Sequence, residues 1–120
     1  MRELVERLFR AAKQKDISAL DGIFTSDAVL IERSGATFCG IGQIREHFSA
    51  LTAAGYIAAW DIRKVFAASE DGAAQWYYEY RGDDGRTVSF DGTALIELSE
   101  GRIKRWSEFS QEVNKTYPLN

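Results

Sequence analysis

Four consecutive extended segments fill the second half of this chain, over residues 56–68, 73–81, 86–98 and 102–112, and nothing else in the sequence constrains its fold as strongly. They are separated only by Glu70-Asp71-Gly72, Gly82-Asp83-Asp84-Gly85 and Ser99-Glu100-Gly101, which have the composition of tight turns. Connections this short join antiparallel neighbours, because a parallel pair needs a long crossover. The segments therefore form a meander. The single proline, Pro118, lies beyond it, so no ladder position lacks a backbone donor. Strands of this length twist and curl.

Ahead of the meander the pattern is helical. Leu4, Val5, Leu8, Phe9 and Ala12 make the stripe of an amphipathic helix over residues 2–15, with Arg10, Lys13 and Lys15 at the dipole's negative end. Asp16 suits the N-cap of a second, shorter helix that sets Ile17, Leu20, Ile23 and Phe24 on one face. Residues 28–33 and 36–39 flank Ser34-Gly35 and read as a short hairpin. Ile44, Phe48 and Leu51 mark a third helix over residues 42–53, closed by Gly55. Helices that precede a meander cannot cover it on alternating sides as βαβ units do, so they collect on one face. The expected fold is α+β: a strongly curved, mainly antiparallel sheet wrapped around three N-terminal helices, a cone with one open mouth. Leu8, Phe24, Phe48, Trp76, Tyr78 and Phe90 are its interior candidates, and 120 residues suit a single domain over 1–120.

Composition narrows the function. A net charge of -3 lacks the basic excess that phosphate backbones select, so nucleic acid is not an expected partner. One cysteine and one histidine allow neither an internal disulfide nor a Cys/His zinc site. No apolar run reaches membrane-spanning length, and the charged opening Arg2-Glu3-Leu4-Val5-Glu6-Arg7 is no signal peptide, which points to a soluble cytoplasmic protein. Three Trp, five Tyr and seven Phe, mostly beyond residue 55, serve a core or a pocket.

Two carboxylates stand in unusual places. Glu32 shares strand parity with Leu30 and sits in an apolar strand, where burial would raise its pKa and make it a usable acid or base; an exposed ion pair is the alternative. Asp91 lies mid-strand, where aspartate is disfavoured. Gly92 could mark a bulge that re-aims it, and a place on the wet face beside Ser89 and Thr93 is equally open. His47 is expected on the outer face of its helix beside Arg45 and Glu46. Trp76, Tyr78 and Tyr80 share one face of their strand. The other face carries Tyr77 and, with Trp106 and Glu108 of the last strand, is a candidate homodimer surface.

The stretches Asp16-Ile17-Ser18-Ala19-Leu20, Phe24-Thr25-Ser26-Asp27-Ala28-Val29, Gly40 through Phe48 and Gly101-Arg102-Ile103-Lys104-Arg105-Trp106 resemble the SnoaL-like branch of the nuclear-transport-factor-two-like superfamily, over residues 2–112. The resemblance implies the cone fold and a dimeric habit. It also implies a pocket for a small apolar molecule, used either for cofactor-free, metal-free proton transfer or for binding alone. Overlaying the ketosteroid isomerase pattern puts the general base at Glu32 and the protonated hydrogen-bonding acid at Asp91. The implied pocket is lined by Leu8, Leu30, Phe38, Phe48, Trp76, Tyr78, Phe109 and Gln111. Leu8 stands where the isomerase carries its oxyanion tyrosine, and Gln111 where the cyclases and limonene epoxide hydrolase carry a carboxylate.

Overall fold

The computed structural model describes residues 1–113, so Pro118 lies outside the described residues. Helix α1 (Arg2–Lys13) buries Leu4, Val5, Leu8, Phe9 and Ala12, the stripe that its periodicity predicts, and Ala11 beside it. A 3₁₀ turn, Ile17–Gly22, follows. Strand β1 (Phe24–Ile31), the short β2 (Thr37–Cys39) and helix α2 (Gly40–Ala53) lead into the meander of β3 (Gly55–Ala68), β4 (Asp71–Gly82), β5 (Thr87–Ser99) and β6 (Arg102–Glu112).

The six strands form one curved open sheet in the order β2-β1-β6-β5-β4-β3. All neighbours are antiparallel except β1 and β6, which run parallel because the chain crosses from one end of the sheet to the other through α2 and the meander. The helices collect on the concave face, and the fold is the α+β cone expected from the order of patterns. At the β5–β6 hairpin Glu100 and Gly101 both have positive φ, 51° and 79°, as a two-residue turn of the primed type requires.

Two local expectations are corrected. The second helix is a single 3₁₀ stretch of six residues that ends at Gly22. Phe24 owes its complete burial to an inward position at the start of β1 instead of a helix face. In β6 the alternation of faces is broken. Glu97 pairs with Arg105 while Leu98 pairs with Ile103, so Lys104 is an extra residue in the ladder. Beyond this bulge the parity flips, and Trp106, Glu108 and Ser110 turn inward. Trp106 is therefore sealed in the core at 1% exposure and is no part of an outer dimer face.

The core centres on aromatic rings. Phe9 stacks on Trp60 at 3.9 Å between centroids and meets Trp76 and Trp106 edge-on at 5.5 and 6.3 Å. Trp76 in turn stacks with Trp106 at 5.5 Å. Opposite Trp76 in the β4–β5 ladder is Gly92, where a Cβ would collide with the Trp76 indole. This glycine gives the indole room. It marks no bulge, since the β4–β5 register is continuous from Asp71 to Arg81.

Candidate functional site

A cavity of about 210 Å³ lies between α2 and the concave face of the sheet. Glu32, Arg33, His47, Phe48, Leu51, Trp60, Trp76, Tyr78, Tyr80, Val88, Phe90, Glu108 and Ser110 line it. Its wall is built by strand parity. Tyr78 and Tyr80 of β4 share the inward face with Ala74 and Trp76, and Phe90 of β5 shares it with Gly92, Ala94 and Ile96. From α2, Ile44, His47, Phe48 and Leu51 fall at the i, i+3, i+4, i+7 spacing of one helix face.

Glu32 and Glu108 come together by register. Leu30 pairs with Trp106 and Ile31 with Ser107 in the parallel β1–β6 ladder, so one further step sets Glu32 beside Glu108 on the inward face. Glu32 sits where β1 enters the turn to β2, and its Oε1 accepts a hydrogen bond from the Ser34 backbone N–H at 3.0 Å. Glu108 accepts from the Trp106 indole Nε1–H at 2.9 Å through its Oε1.

Burial pushes the Glu108 carboxyl up from 4.5 to about 7. The indole hydrogen bond and Arg33 work against this rise, and the charge of Glu32 adds to it. Burial likewise lowers the pKa of His47, while the charge of Glu32 pulls the other way. Burial, with the charge of Glu108, raises the Tyr78 phenol and keeps it protonated. Arg33 stacks over the Phe90 ring with its guanidinium carbon 3.9 Å from the centroid. It is exposed and marks the mouth.

The raised pKa of Glu108 has a consequence for stability. Between about pH 4.5 and 7 the folded chain holds a proton there that the unfolded chain releases, so stability falls as pH rises through that window. Glu108→Gln removes this penalty. The variant is expected to gain up to about 3 kcal/mol over wild type at pH 8 relative to its difference at pH 4, as measured by urea unfolding at both values. A difference independent of pH would contradict the buried, proton-holding carboxyl.

Of the residues expected at the site, Glu32, Phe48, Trp76 and Tyr78 line the cavity. Asp91 does not. Its parity opposes that of Phe90 and Gly92, and it lies on the outer face in an ion pair with Arg63 at 2.8 Å. Phe109 and Gln111 are also on the outer face, displaced by the Lys104 bulge, and Phe109 is 60% exposed. Leu8 and Leu30 are buried in the core without bordering the cavity, and Phe38 stands behind His47, stacked on it at 4.3 Å. His47 itself faces the cavity instead of the solvent side of α2. Two residues that the sequence reading placed elsewhere, Glu108 and His47, therefore belong to the site. The helix stripe signals His47, and the alternation Trp106, Glu108, Ser110 signals Glu108 once Trp106 is recognised as core.

Among the described residues no three His, Cys, Asp or Glu side chains converge as a metal site would. No helix among them is long and apolar enough to cross a membrane.

Residues 5–106 match the family model described as the SnoaL-like domain. No curated protein matches the chain by sequence. Several solved structures share the fold. A protein with a ketosteroid isomerase-like fold from Catenulispora acidiphila, in complex with trimethylamine, aligns at TM-score 0.81 and 18% identity over 89% of this chain and 84% of its own. An LEH-like epoxide hydrolase from M. tuberculosis aligns at TM-score 0.79 and 17% identity over 91% of this chain and 80% of its own. A provisionally assigned SnoaL-like polyketide cyclase from Shewanella denitrificans aligns at TM-score 0.79 and 13% identity, over 92% and 89%. Identities this low carry the cone fold and leave the reaction to the residues of the cavity. With that fold in place and most of its length matched, the chain belongs to the SnoaL-like domain family.

Proposed function

We propose that this protein takes up a small apolar carbonyl compound and catalyses cofactor-free proton transfer at the carbon next to the carbonyl. Glu32 is the base, and Glu108, in place of Asp91, is the protonated hydrogen-bond donor. The observation that carries this reading is the pair itself: Glu32 at the end of β1 and Glu108 on the parallel neighbour β6, both at the wall of an otherwise largely aromatic cavity. Two such carboxyls do not both ionise cheaply, and the division into one charged and one neutral member is the one enolisation uses. Glu32 takes the proton from the α carbon. The electron pair moves onto the carbonyl oxygen, where the Glu108 O–H meets it, and the proton returns to carbon from Glu32. The volume equals that of roughly seven water molecules, which favours a monocyclic ligand over a four-ring steroid.

Cyclohexanone in D₂O tests the reading by NMR. The protein is expected to speed deuterium exchange at the α carbons and to gain thermal stability from the ketone. Stabilisation without exchange would leave a binding module with the same pocket. Neither effect would sink both.

As partner we propose a second copy of the chain, in a cytoplasmic protein whose residues 1–120 form one domain. Leu95, Phe109 and Phe66 are 56%, 60% and 62% exposed, and the first two share the outer face of the sheet with Tyr77. A face of that kind on a soluble chain invites burial against another. The exposed, unpaired thiol of Cys39 suits a reducing compartment. Sedimentation at tens of micromolar is expected to give a dimer, and Phe109→Glu a monomer. A wild-type monomer under those conditions would rule the interface out.

A further inference from the structure

The hydrogen-bonding groups of the cavity fall into two sets. Tyr80 donates its hydroxyl to the Leu51 carbonyl at 2.6 Å, and Trp106 donates its indole N–H to Glu108. Two other groups of the lining have no such partner. The Trp60 Nε1 and Ser110 Oγ are buried without a hydrogen-bond partner among the described residues, and the Tyr78 phenol stands on the same cavity wall. All three residues line the cavity.

A buried polar group left unpaired costs about 1–3 kcal/mol, so two in one small cavity need a reason. Their positions supply it. Ser110 lies two residues beyond Glu108 on the inward face of β6, and Tyr78 pairs with Trp60 across the β3–β4 ladder, their rings 5.3 Å apart. Tyr78 shares the cavity lining with Glu108 and Arg33, and burial together with the charge of Glu108 raises its phenol. Helix α1 contributes no side chain to the lining. These donors therefore belong to the sheet wall, with Ser110 the one beside Glu108 on β6.

We propose that the Tyr78 and Ser110 hydroxyls, with the Trp60 N–H behind them, receive the oxygen of the ligand, and that they select a molecule bearing a hydrogen-bond acceptor over an apolar one of the same shape. This deepens the carbonyl reading of the pocket and rests on it. Tyr78 then shares with Glu108 the oxygen on which charge develops. The ligand then brings an acceptor to these donors on the sheet wall and keeps its hydrocarbon against Phe48 and Phe90.

The test is the infrared carbonyl stretch of bound ¹³C=O-labelled cyclohexanone, with methylenecyclohexane as a same-shaped ligand without the acceptor. In wild type the stretch is expected to shift to lower frequency than in cyclohexane solution. Tyr78→Phe is expected to remove much of that shift and to weaken ketone binding about 5- to 10-fold, while methylenecyclohexane binds both proteins alike. Ser110→Ala is expected to weaken ketone binding several-fold and to leave the free protein at least as stable, because it deletes an unsatisfied buried hydroxyl. A shift and an affinity unchanged in both variants would overturn the proposal, as would failure of the ketone to bind at all. The two readings fail separately. A shift lost in Tyr78→Phe without any α-exchange keeps the donor set and rejects proton transfer, whereas exchange with an unaltered shift does the reverse.

Discussion

Glu32→Gln is expected to slow α-deuterium exchange of cyclohexanone by a factor of roughly 10²–10⁴, the range that removal of a positioned general base costs. Glutamine has nearly the same volume and can still accept the Ser34 N–H that the carboxylate accepts at 3.0 Å, so the turn and the cavity wall stay in place. What it lacks is basicity, since an amide does not take a proton from carbon. Ketone binding is therefore expected to persist while exchange collapses, and the two are read separately by thermal shift and by NMR. An exchange rate left within a factor of two would remove Glu32 from the reaction. Glu108→Gln behaves differently, because the amide N–H₂ can stand in as donor where the protonated carboxyl stood.

Phe9→Ala is expected to cost about 3–5 kcal/mol of folding stability, the range for deleting a fully buried aromatic side chain. Phe9 is 2% exposed and joins helix α1 to the sheet through its stack on Trp60 and its edge contacts with Trp76 and Trp106. Removing it opens a void among rings that cannot collapse independently, because each indole is fixed by its other neighbours. Small domains hold about 5–15 kcal/mol in all, so the variant is expected to be close to unfolding. Urea denaturation followed by tryptophan fluorescence measures the loss. A cost below about 1 kcal/mol would mean that the aromatic cluster does not anchor α1.

The meander and the first helix are legible in the sequence because each depends on a local period. Gly-containing turns separate the strands, and Leu4, Val5, Leu8, Phe9 and Ala12 repeat with the helical turn. The cavity is less legible because its lining depends on which side of each strand faces in. One inserted residue, Lys104, exchanges the two faces of β6, turning Glu108 and Ser110 inward and Phe109 and Gln111 outward. Asp91 shows the converse. Its strand has no insertion opposite β4, so the plain alternation of Phe90, Gly92 and Ala94 places it outside, whatever the pattern of a related enzyme implies. The pairing of Glu32 with Glu108 is a matter of parallel register between strands that lie far apart in the chain, and no local pattern encodes it. His47 was within reach, since it falls on the stripe of Ile44, Phe48 and Leu51, but a lone histidine between Glu46 and Phe48 belongs equally to the edge of an exposed face.

The assignment of Glu32 as base and Glu108 as protonated donor stands or falls most directly on the pH dependence of cyclohexanone exchange. Glu108 must hold its proton to serve the developing oxyanion, and its carboxyl loses that proton at about 7. The wild-type rate is expected to change little just below that pH and to fall by about tenfold per pH unit above it, while Glu108→Gln, which has no proton to lose, shows no such fall. A wild-type rate that instead rises through pH 7, or a fall that survives in Glu108→Gln, would contradict the assignment.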